Sequence, residues 1–163
     1  MRVEVLAQTF IEEAPKIEKS VKVKNSPGVV YEYLKLTRNQ DNFSVWNMAD
    51  PNMKKSYEGT DGTVGFIYRW DSAVKNVGAG EQEITALEDG KSIDYAIRFS
   101  RPMKNTGKTK FQVTGSADGY TSVDWIFDSP SKFPMSLFSP IFKRMLGKDL
   151  EKGLQNLKVI LEK

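Results

Sequence analysis

The chain has 163 residues, a net charge of +3 and neither cysteine nor histidine, and its length fits one domain. The two missing residue types exclude disulfides, thiolate nucleophiles, ordinary catalytic triads and the usual zinc sites, so any catalysis must come from Asp, Glu, Lys, Arg, Tyr or Ser. The small charge surplus predicts no nucleic-acid partner, and no apolar run approaches the roughly 18 residues that a membrane span needs.

The beginning of the chain divides into an extension and the first predicted elements. Residues 1–14 contain apolar residues that follow no clean period, and we treat them as an N-terminal extension to a single domain over residues 15–163. Residues 16–24 alternate between apolar and polar side chains, which predicts a half-buried strand in which Lys19 is the one charge on the apolar side.

A helix start follows this strand at once. Ser26 is a suitable N-cap and Pro27 suits the first helical position, so residues 28–36 are predicted to form a short helix. Residues 37–48 are predicted to form a second short helical or irregular turn, which ends before Asp50 and Pro51.

Most of residues 54–129 is predicted to form antiparallel strands, with tight turns at Asp89-Gly90 and Asp118-Gly119. Each well-patterned strand has one apolar, aromatic side and one polar or charged side. Residues 62–71 form one such strand, with Val64 on its apolar side, and the glycines at 78 and 80 predict a bulge in the next strand.

The C-terminal segment is predicted to form one long amphipathic helix. Ser139 and Pro140 repeat the start signal, and leucines then recur every three or four residues as far as Leu161. At 1.5 Å per residue such a helix is roughly 33 Å long and can cross the whole apolar face of a sheet. Gly147 and Gly153 inside it predict a close approach of the helix to the sheet or to bound material.

The order of these elements resembles the START-like or helix-grip superfamily, and within it the bacterial polyketide cyclase/dehydrase-like branch of the SRPBCC proteins. The resemblance implies an α+β fold in which a curved antiparallel sheet of about six or seven strands wraps around the long C-terminal helix, with two short helices after the first strand. It also implies a cavity between sheet and helix, which in relatives takes lipids, sterols, polyketides or other apolar ligands. The motifs that carry it are Asn25 to Pro27, Phe43 to Trp46 with Asp50 and Pro51, Gly62 to Gly65, Val77 to Gly80, Thr121 to Trp125, and Gly153 to Lys158.

Two departures from this branch bear on the expectations. Phe43 stands where the branch often has Trp, which is a mild change. Members of the branch often begin with a membrane anchor, and the sequence shows none. We therefore expect a cytoplasmic protein, or a membrane-anchored one whose natural chain is longer.

The candidate site is the concave face of the sheet. A face rich in aromatic side chains with a few polar groups is typical of a pocket for an apolar molecule, although the same pattern also makes a packed core. The polar groups expected there belong to Tyr68, Tyr95, Trp70, Trp125 and Gln82. The predicted ligand-binding residues are Trp46, Phe66, Tyr68, Trp70, Gln82, Ile84, Tyr95, Ile97, Phe99, Phe111, Val123, Trp125, Phe142, Leu146 and Leu150.

The charged residues of the strands are predicted to face away from this site, so no catalytic residue is assigned. A bulge near Gly80 would change this by exchanging Gln82 for Glu81 or Glu83, and a carboxylate beside Tyr68 or Tyr95 could enolise a ketone. The sequence shows no spacing of metal ligands, and we expect neither a metal nor another cofactor.

Three hypotheses remain for the function. The favoured one is the binding or carriage of a hydrophobic small molecule. The alternatives are a cyclase/dehydrase-like enzyme that uses Tyr with Glu or Asp, and an interaction or regulatory domain with a filled core. The apolar, proline-containing stretch Phe133 to Phe142 is a candidate lid or homodimer contact, or else a loop anchored on the core.

Overall fold

A computed structural model describes residues 16–128 and 140–163, with the side chains of the second range described from Lys143 onward. The N-terminal extension, most of the Phe133 to Phe142 stretch and the Phe142 side chain therefore lie outside the described residues. None of the helices in the described ranges is long and apolar enough to cross a membrane.

The first elements follow the predicted order. Strand β1 spans Lys16–Val23 and helix α1 spans Pro27–Lys35, followed by a 3-10 helix at Thr37–Asn42 and helix α2 at Val45–Met48. Ser26 caps α1 as expected, because its Oγ accepts a hydrogen bond from the Val29 N–H at 3.4 Å and Pro27 fills the first turn.

Six further strands complete one sheet. They are β2 (Lys54–Glu58), β3 (Ile67–Asp71), β4 (Ala79–Glu88), β5 (Ser92–Arg101), β6 (Asn105–Gly115) and β7 (Thr121–Asp128). The spatial order is β1-β7-β6-β5-β4-β3-β2, and every neighbouring pair is antiparallel. Strands β2 to β7 thus run as a meander of consecutive neighbours, and β1 is added at its far edge beside β7.

The predicted alternation holds along β7, where every second residue from Thr121 to Phe127 is buried. Strand β3 is shorter than predicted, because Gly62 and Gly65 take positive φ values of 80° and 97° and form a turn before it. Val64 lies in that turn and is 60% exposed, so the prediction that it faces the core is wrong. The predicted bulge is confirmed by a register shift between Ala79 and Gly80.

Helix α3 (Pro140–Leu161) packs across the concave face of the sheet. Its buried residues include Leu150, Leu154 and Leu157. A Cβ placed on Gly153 would lie 2.9 Å from the Trp125 ring, which confirms that the helix approaches the sheet closely at this glycine. The architecture is the expected α+β helix-grip fold, with seven strands gripping one long helix.

Candidate ligand-binding site

A cavity of about 230 Å³ lies between α3 and the concave face of the sheet. Its wall is built from strands β3 to β7, from the N-terminal half of α3, and from the segment that contains the 3-10 helix and α2. The loops that join β3 to β4 and β5 to β6 border it through Asn76, Val77, Pro102 and Met103. The cavity therefore occupies the end of the sheet at which these two loops converge.

The structure divides the predicted ligand-binding residues into two groups. Those that line the cavity are Trp46, Tyr68, Trp70, Gln82, Ile97, Phe99, Trp125, Leu146 and Leu150. Those that lie in the packed core instead, each at most 1% exposed, are Phe66, Ile84, Tyr95, Phe111 and Val123. The side chain of Phe142 is outside the described residues.

The second group is in the core because α1 and Phe43 fill one half of the concave face. The Tyr31 side chain of α1 is 1% exposed and its OH donates a hydrogen bond to the Ser92 carbonyl at 3.3 Å. The Phe43 ring packs edge-on against the rings of Phe111 and Trp125, at centroid distances of 6.0 and 5.8 Å. The face that the sequence predicts as one pocket is thus half core and half cavity.

Most of the polar groups that the sequence singled out are already occupied or lie elsewhere. The Trp70 Nε1–H donates to the Val77 carbonyl at 3.2 Å, and the Tyr68 OH donates to Asp41 Oδ1 at 3.1 Å. The Tyr95 OH lies in the core, where burial raises its pKa, an effect that Thr37 and Gln40 partly oppose. Gln82 lines the cavity and is 8% exposed.

Other polar groups in the wall were missed. Gln40, Asn105 and Thr109 line the cavity, together with the predicted Trp46. Trp46, Asn105 and Thr109 each carry a buried nitrogen or oxygen without a hydrogen-bond partner among the described residues. Thr109 lies on the buried side of β6 and could have been found from the alternation, whereas Gln40 and Asn105 lie in a 3-10 helix and at a strand end, where no periodic pattern identifies them.

A carboxylate that the sequence did not single out also lies beside the cavity wall. Asp41 Oδ1 accepts hydrogen bonds from the Tyr68 OH at 3.1 Å and from Asn47 Nδ2 at 2.9 Å, and it lies 3.0 Å from Lys55 Nζ. Burial and the negative charge of Asp41 raise the pKa of Tyr68, so its phenol remains neutral. Tyr68 and Asn47 line the cavity, which places this cluster at its edge.

Two acidic residues of β4, Glu81 and Glu83, lie on the other face of the sheet. Glu81 and Glu83 both accept hydrogen bonds from the Arg98 guanidinium, at 3.2 and 2.6 Å. Gln82 between them lines the cavity, so the bulge at Ala79 and Gly80 does not change which β4 side chains face it. The alternative arrangement, in which Glu81 or Glu83 would face the cavity, is not the one observed.

The comparisons with known proteins agree with this architecture. A family model described as "Polyketide cyclase / dehydrase and lipid transport" matches residues 14–162. A comparison with curated proteins finds no match.

Solved structures with the same fold have low sequence identity to the chain. The Aha1 dimer from Colwellia psychrerythraea, a solution structure, is 18% identical with a TM-score of 0.63, over 91% of this chain and 96% of that one. Major latex-like protein 151 from Panax ginseng is 15% identical with a TM-score of 0.65, over 92% and 99% of the two chains. DynU16, from the dynemicin biosynthetic locus, is 16% identical with a TM-score of 0.64, over 90% of this chain and 47% of its own. These likenesses support the fold.

Proposed function

Because the chain belongs to the family described as polyketide cyclase/dehydrase and lipid transport, we propose that it binds an apolar small molecule between the sheet and α3. The observation that carries the proposal is the cavity of about 230 Å³ in the half of the concave face that α1 leaves open. Its wall contains Ile97, Phe99, Trp125, Leu146 and Leu150. Such an apolar wall with a few polar groups suits a small-molecule site.

The size of the cavity favours binding over a purely structural role. Close-packed protein interiors contain few voids larger than a water molecule, and an engineered apolar cavity of about 150 Å³ already binds benzene. The cavity here is larger, at about 230 Å³. This supports a ligand-binding protein over an interaction domain with a filled core.

A second candidate function, a cyclase/dehydrase-like enzyme, is favoured by the pairing of Tyr68 with Asp41. A tyrosine hydroxyl bound to a carboxylate at the edge of an apolar cavity can assist proton transfer at a carbonyl substrate. The two functions differ in their response to Y68F. A carrier with this substitution still binds its ligand, whereas an enzyme that uses the pair binds but no longer converts it.

The binding proposal is tested by native mass spectrometry of the purified protein with extraction of any bound molecule, followed by titration with naphthalene monitored by heteronuclear NMR. We expect a co-purifying apolar molecule or naphthalene-induced shifts at cavity residues. I97W places an indole in the cavity and should abolish binding. A96W is the matched control, since Ala96 neighbours Ile97 on the opposite face of β5 and pairs with Glu83.

The proposal is wrong if the protein carries no molecule and naphthalene shifts no cavity resonance. It is also wrong if I97W and A96W bind naphthalene equally well, because binding would then occur outside the cavity.

A further inference from the structure

Two neighbouring loops beside the cavity each place an exposed apolar side chain next to an exposed cation. The loop between β3 and β4 contains Val74, which is 46% exposed and is followed by the exposed Lys75. The loop between β5 and β6 contains Met103, which is 42% exposed and is followed by the exposed Lys104. A single exposed apolar residue needs no explanation, but the same pairing on two adjacent loops indicates an interaction surface.

Helix α3 adds a third pair of the same kind. Leu146 lines the cavity, and it is preceded in the chain by Arg144 and Met145. Both of these residues are exposed, Met145 to 58%. Three separate segments that border the cavity therefore combine apolar and cationic side chains at the surface.

The cavity reaches the molecular surface at the two loops. They lie in contact, because a Cβ placed on Gly78 would lie 3.2 Å from Pro102 Cδ, and the Arg101 guanidinium donates a hydrogen bond to the Ser72 carbonyl at 3.0 Å. Pro102 and Met103 line the cavity and are also exposed to solvent. A molecule that enters or leaves between the loops passes these apolar side chains.

The charge of this surface is entirely positive. Residues 72–78, 102–105 and 143–148, which we together call the cavity end, include no Asp or Glu. Neither Lys75 nor Lys104 forms an ion pair with a carboxylate of the described residues. Both lysines are therefore available to an external anion.

The opposite end of the sheet has a different composition. Successive turns of an antiparallel meander alternate between the two ends, so the turns after β2, β4 and β6 lie away from the cavity end. Each of those three turns contains an aspartate, at Asp61, Asp89 and Asp118. The positive surface is thus confined to the end at which the cavity opens.

The combination of apolar and cationic side chains fits a lipid surface. An anionic bilayer attracts lysines through its phosphates, and the boundary between headgroups and acyl chains accepts apolar side chains. A nucleic acid or an acidic protein surface offers charge to the lysines but no such apolar layer to Val74 and Met103.

We infer that the cavity end docks on the surface of an anionic lipid bilayer, with Val74, Met103 and Met145 in the headgroup region and Lys75 and Lys104 beside lipid phosphates. In this orientation the cavity opens toward the bilayer, so an apolar molecule can pass between the two without crossing water. The inference goes beyond the proposed function, because docking does not require the cavity to be occupied.

Docking is tested by sedimentation of the protein with two kinds of vesicle, one of pure phosphatidylcholine and one an equimolar mixture of phosphatidylcholine and phosphatidylglycerol. We expect binding to the mixed vesicles, weakening as salt is added, and little binding to phosphatidylcholine alone. Absence of binding to the mixed vesicles, or equal binding to both kinds, overturns the inference.

The contribution of charge is measured with K75Q/K104Q. We expect its partition coefficient on the mixed vesicles to fall about thirtyfold, because each lysine near an anionic surface contributes about fivefold. K24Q/K91Q is the matched control, since it removes two exposed lysines from the opposite end and should change the coefficient less than about twofold.

The apolar contribution is measured with V74S/M103S, which should lower the partition coefficient about tenfold through lost contact with the bilayer. The backbone N–H groups of Val77 and Gly78 donate to the Val74 carbonyl, so V74S leaves these loop hydrogen bonds in place. V29S/V64S is the control, because Val29 and Val64 are 51% and 60% exposed in α1 and in the turn after β2.

The remaining outcomes distinguish the occupant and the function. A loss of binding in K75Q/K104Q without any loss in V74S/M103S would mean that the surface attracts any polyanion, and it overturns the lipid assignment. Equal losses in the variants and their controls overturn the placement at the cavity end. K75Q/K104Q should still bind naphthalene like the wild type, whereas vesicle binding by a protein that binds no naphthalene supports docking and defeats the proposed function alone.

Discussion

Asp61 holds the short 3-10 helix that brings Gln40 and Asp41 to the cavity. Its carboxylate accepts hydrogen bonds from the backbone N–H groups of Thr37 at 2.8 Å and Arg38 at 3.0 Å, and from the N–H of Gly62 at 2.8 Å. The N–H groups at a helix start have no partner within the helix. A residue distant in sequence thus completes the helix that supports one side of the site.

We expect D61A to lower the free energy of unfolding by about 1–3 kcal/mol, because these N–H groups lose a charged acceptor. Urea denaturation followed by circular dichroism measures the change. D89A, which removes an exposed carboxylate from a hairpin turn, is the control and should cost less than about 0.5 kcal/mol. Equal stabilities of the two variants would contradict this account of Asp61.

Asp50 connects the end of the helical segment to the loop after β3. Its buried carboxylate accepts hydrogen bonds from the Ser72 hydroxyl and from the Asn52 N–H, the latter at 2.9 Å. These hydrogen bonds hold the pKa of Asp50 below its usual range. A carboxyl group with a lowered pKa stabilises the fold only while it is ionised.

The lowered pKa of Asp50 determines the direction in which stability changes with pH. The stabilisation by Asp50 is fully present above the unfolded-state pKa of about 3.9, and it is lost as the pH falls through the lower pKa of the folded state. We expect the free energy of unfolding, measured in urea between pH 7 and pH 2.5, to fall on the acid side. The fall should be shallower in D50N, whose side chain cannot ionise.

E88Q is the control for Asp50, since Glu88 is exposed and pairs with Lys91 at 3.5 Å. Its acid profile should run parallel to that of the wild type. A D50N profile that is also parallel to the wild type would show that Asp50 makes no contribution to acid stability.

At the scale of elements, α3 contains two glycines in different surroundings. A Cβ on Gly153 would lie 2.9 Å from Trp125 Cζ3 and 3.4 Å from the Phe43 carbonyl oxygen. A Cβ on Gly147 would lie 3.1 Å from Cε of Lys19, near the end of a flexible side chain. The first position cannot accept a methyl group without moving the Trp125 ring, whereas the second needs only a shift of the Lys19 side chain.

We expect G153A to destabilise the protein by about 1–3 kcal/mol through overpacking, although alanine favours a helix. G147A should instead stabilise it by up to about 1 kcal/mol, because Lys19 can move and the gain in helix propensity remains. Thermal unfolding of both variants tests the pair. Stabilisation by both substitutions would mean that α3 lies farther from Trp125 than the structure shows.

Alternation along strands predicted which side chains face α3, but it could not predict how the space beneath α3 is divided. Ile93 and Ile97 lie on the same side of β5, yet the first is in the core and the second lines the cavity. The difference depends on where α1 docks, which follows from contacts such as that of Tyr31 with Ser92. Such long-range contacts leave no periodic signal in the sequence.

The hydrogen-bond partners of the polar side chains could not be predicted from the sequence either. Trp46 and Trp70 border the same cavity, but only the Trp70 N–H meets a loop carbonyl, that of Val77. Asp41 reaches Tyr68 from a 3-10 helix that has no clear apolar pattern. The sequence therefore predicted the fold better than the positions and partners of the polar groups around the cavity.

At the scale of the whole molecule, the sheet places one cluster of charges on the face opposite to the cavity. Arg98 lies between Glu81 and Glu83 on the face opposite to Gln82. Ion pairs that are partly open to solvent contribute little to stability. The chemistry of the site should therefore be independent of these carboxylates.

We expect the double variant E81Q/E83Q to change the free energy of unfolding by less than about 1 kcal/mol and to leave the affinity for naphthalene unchanged. Urea denaturation and calorimetry measure the two quantities. I97W, which fills the cavity, should abolish the affinity in the same titration. Loss of affinity in E81Q/E83Q would mean that a β4 carboxylate faces the ligand.

The position of β1 at the edge beside β7 has a consequence for the order of folding. Ser20 of β1 hydrogen-bonds Asp124 of β7 across 104 positions of the chain, and α3 packs on β1 from a segment later still. The meander from β2 to β7 joins sequence neighbours, so its hairpins can form early, whereas closing so long a loop is slow. During synthesis, β1 leaves the ribosome before β7, the strand with which it pairs.

We therefore expect β1 to be unformed in the folding transition state. V21A in β1 should mainly accelerate unfolding, whereas V123A at its register partner in β7 should mainly slow folding. Stopped-flow kinetics in urea separates the two rates, and a slowed folding rate in V21A would place β1 among the early strands. In this order of events α3 completes its packing only when β1 has paired with β7.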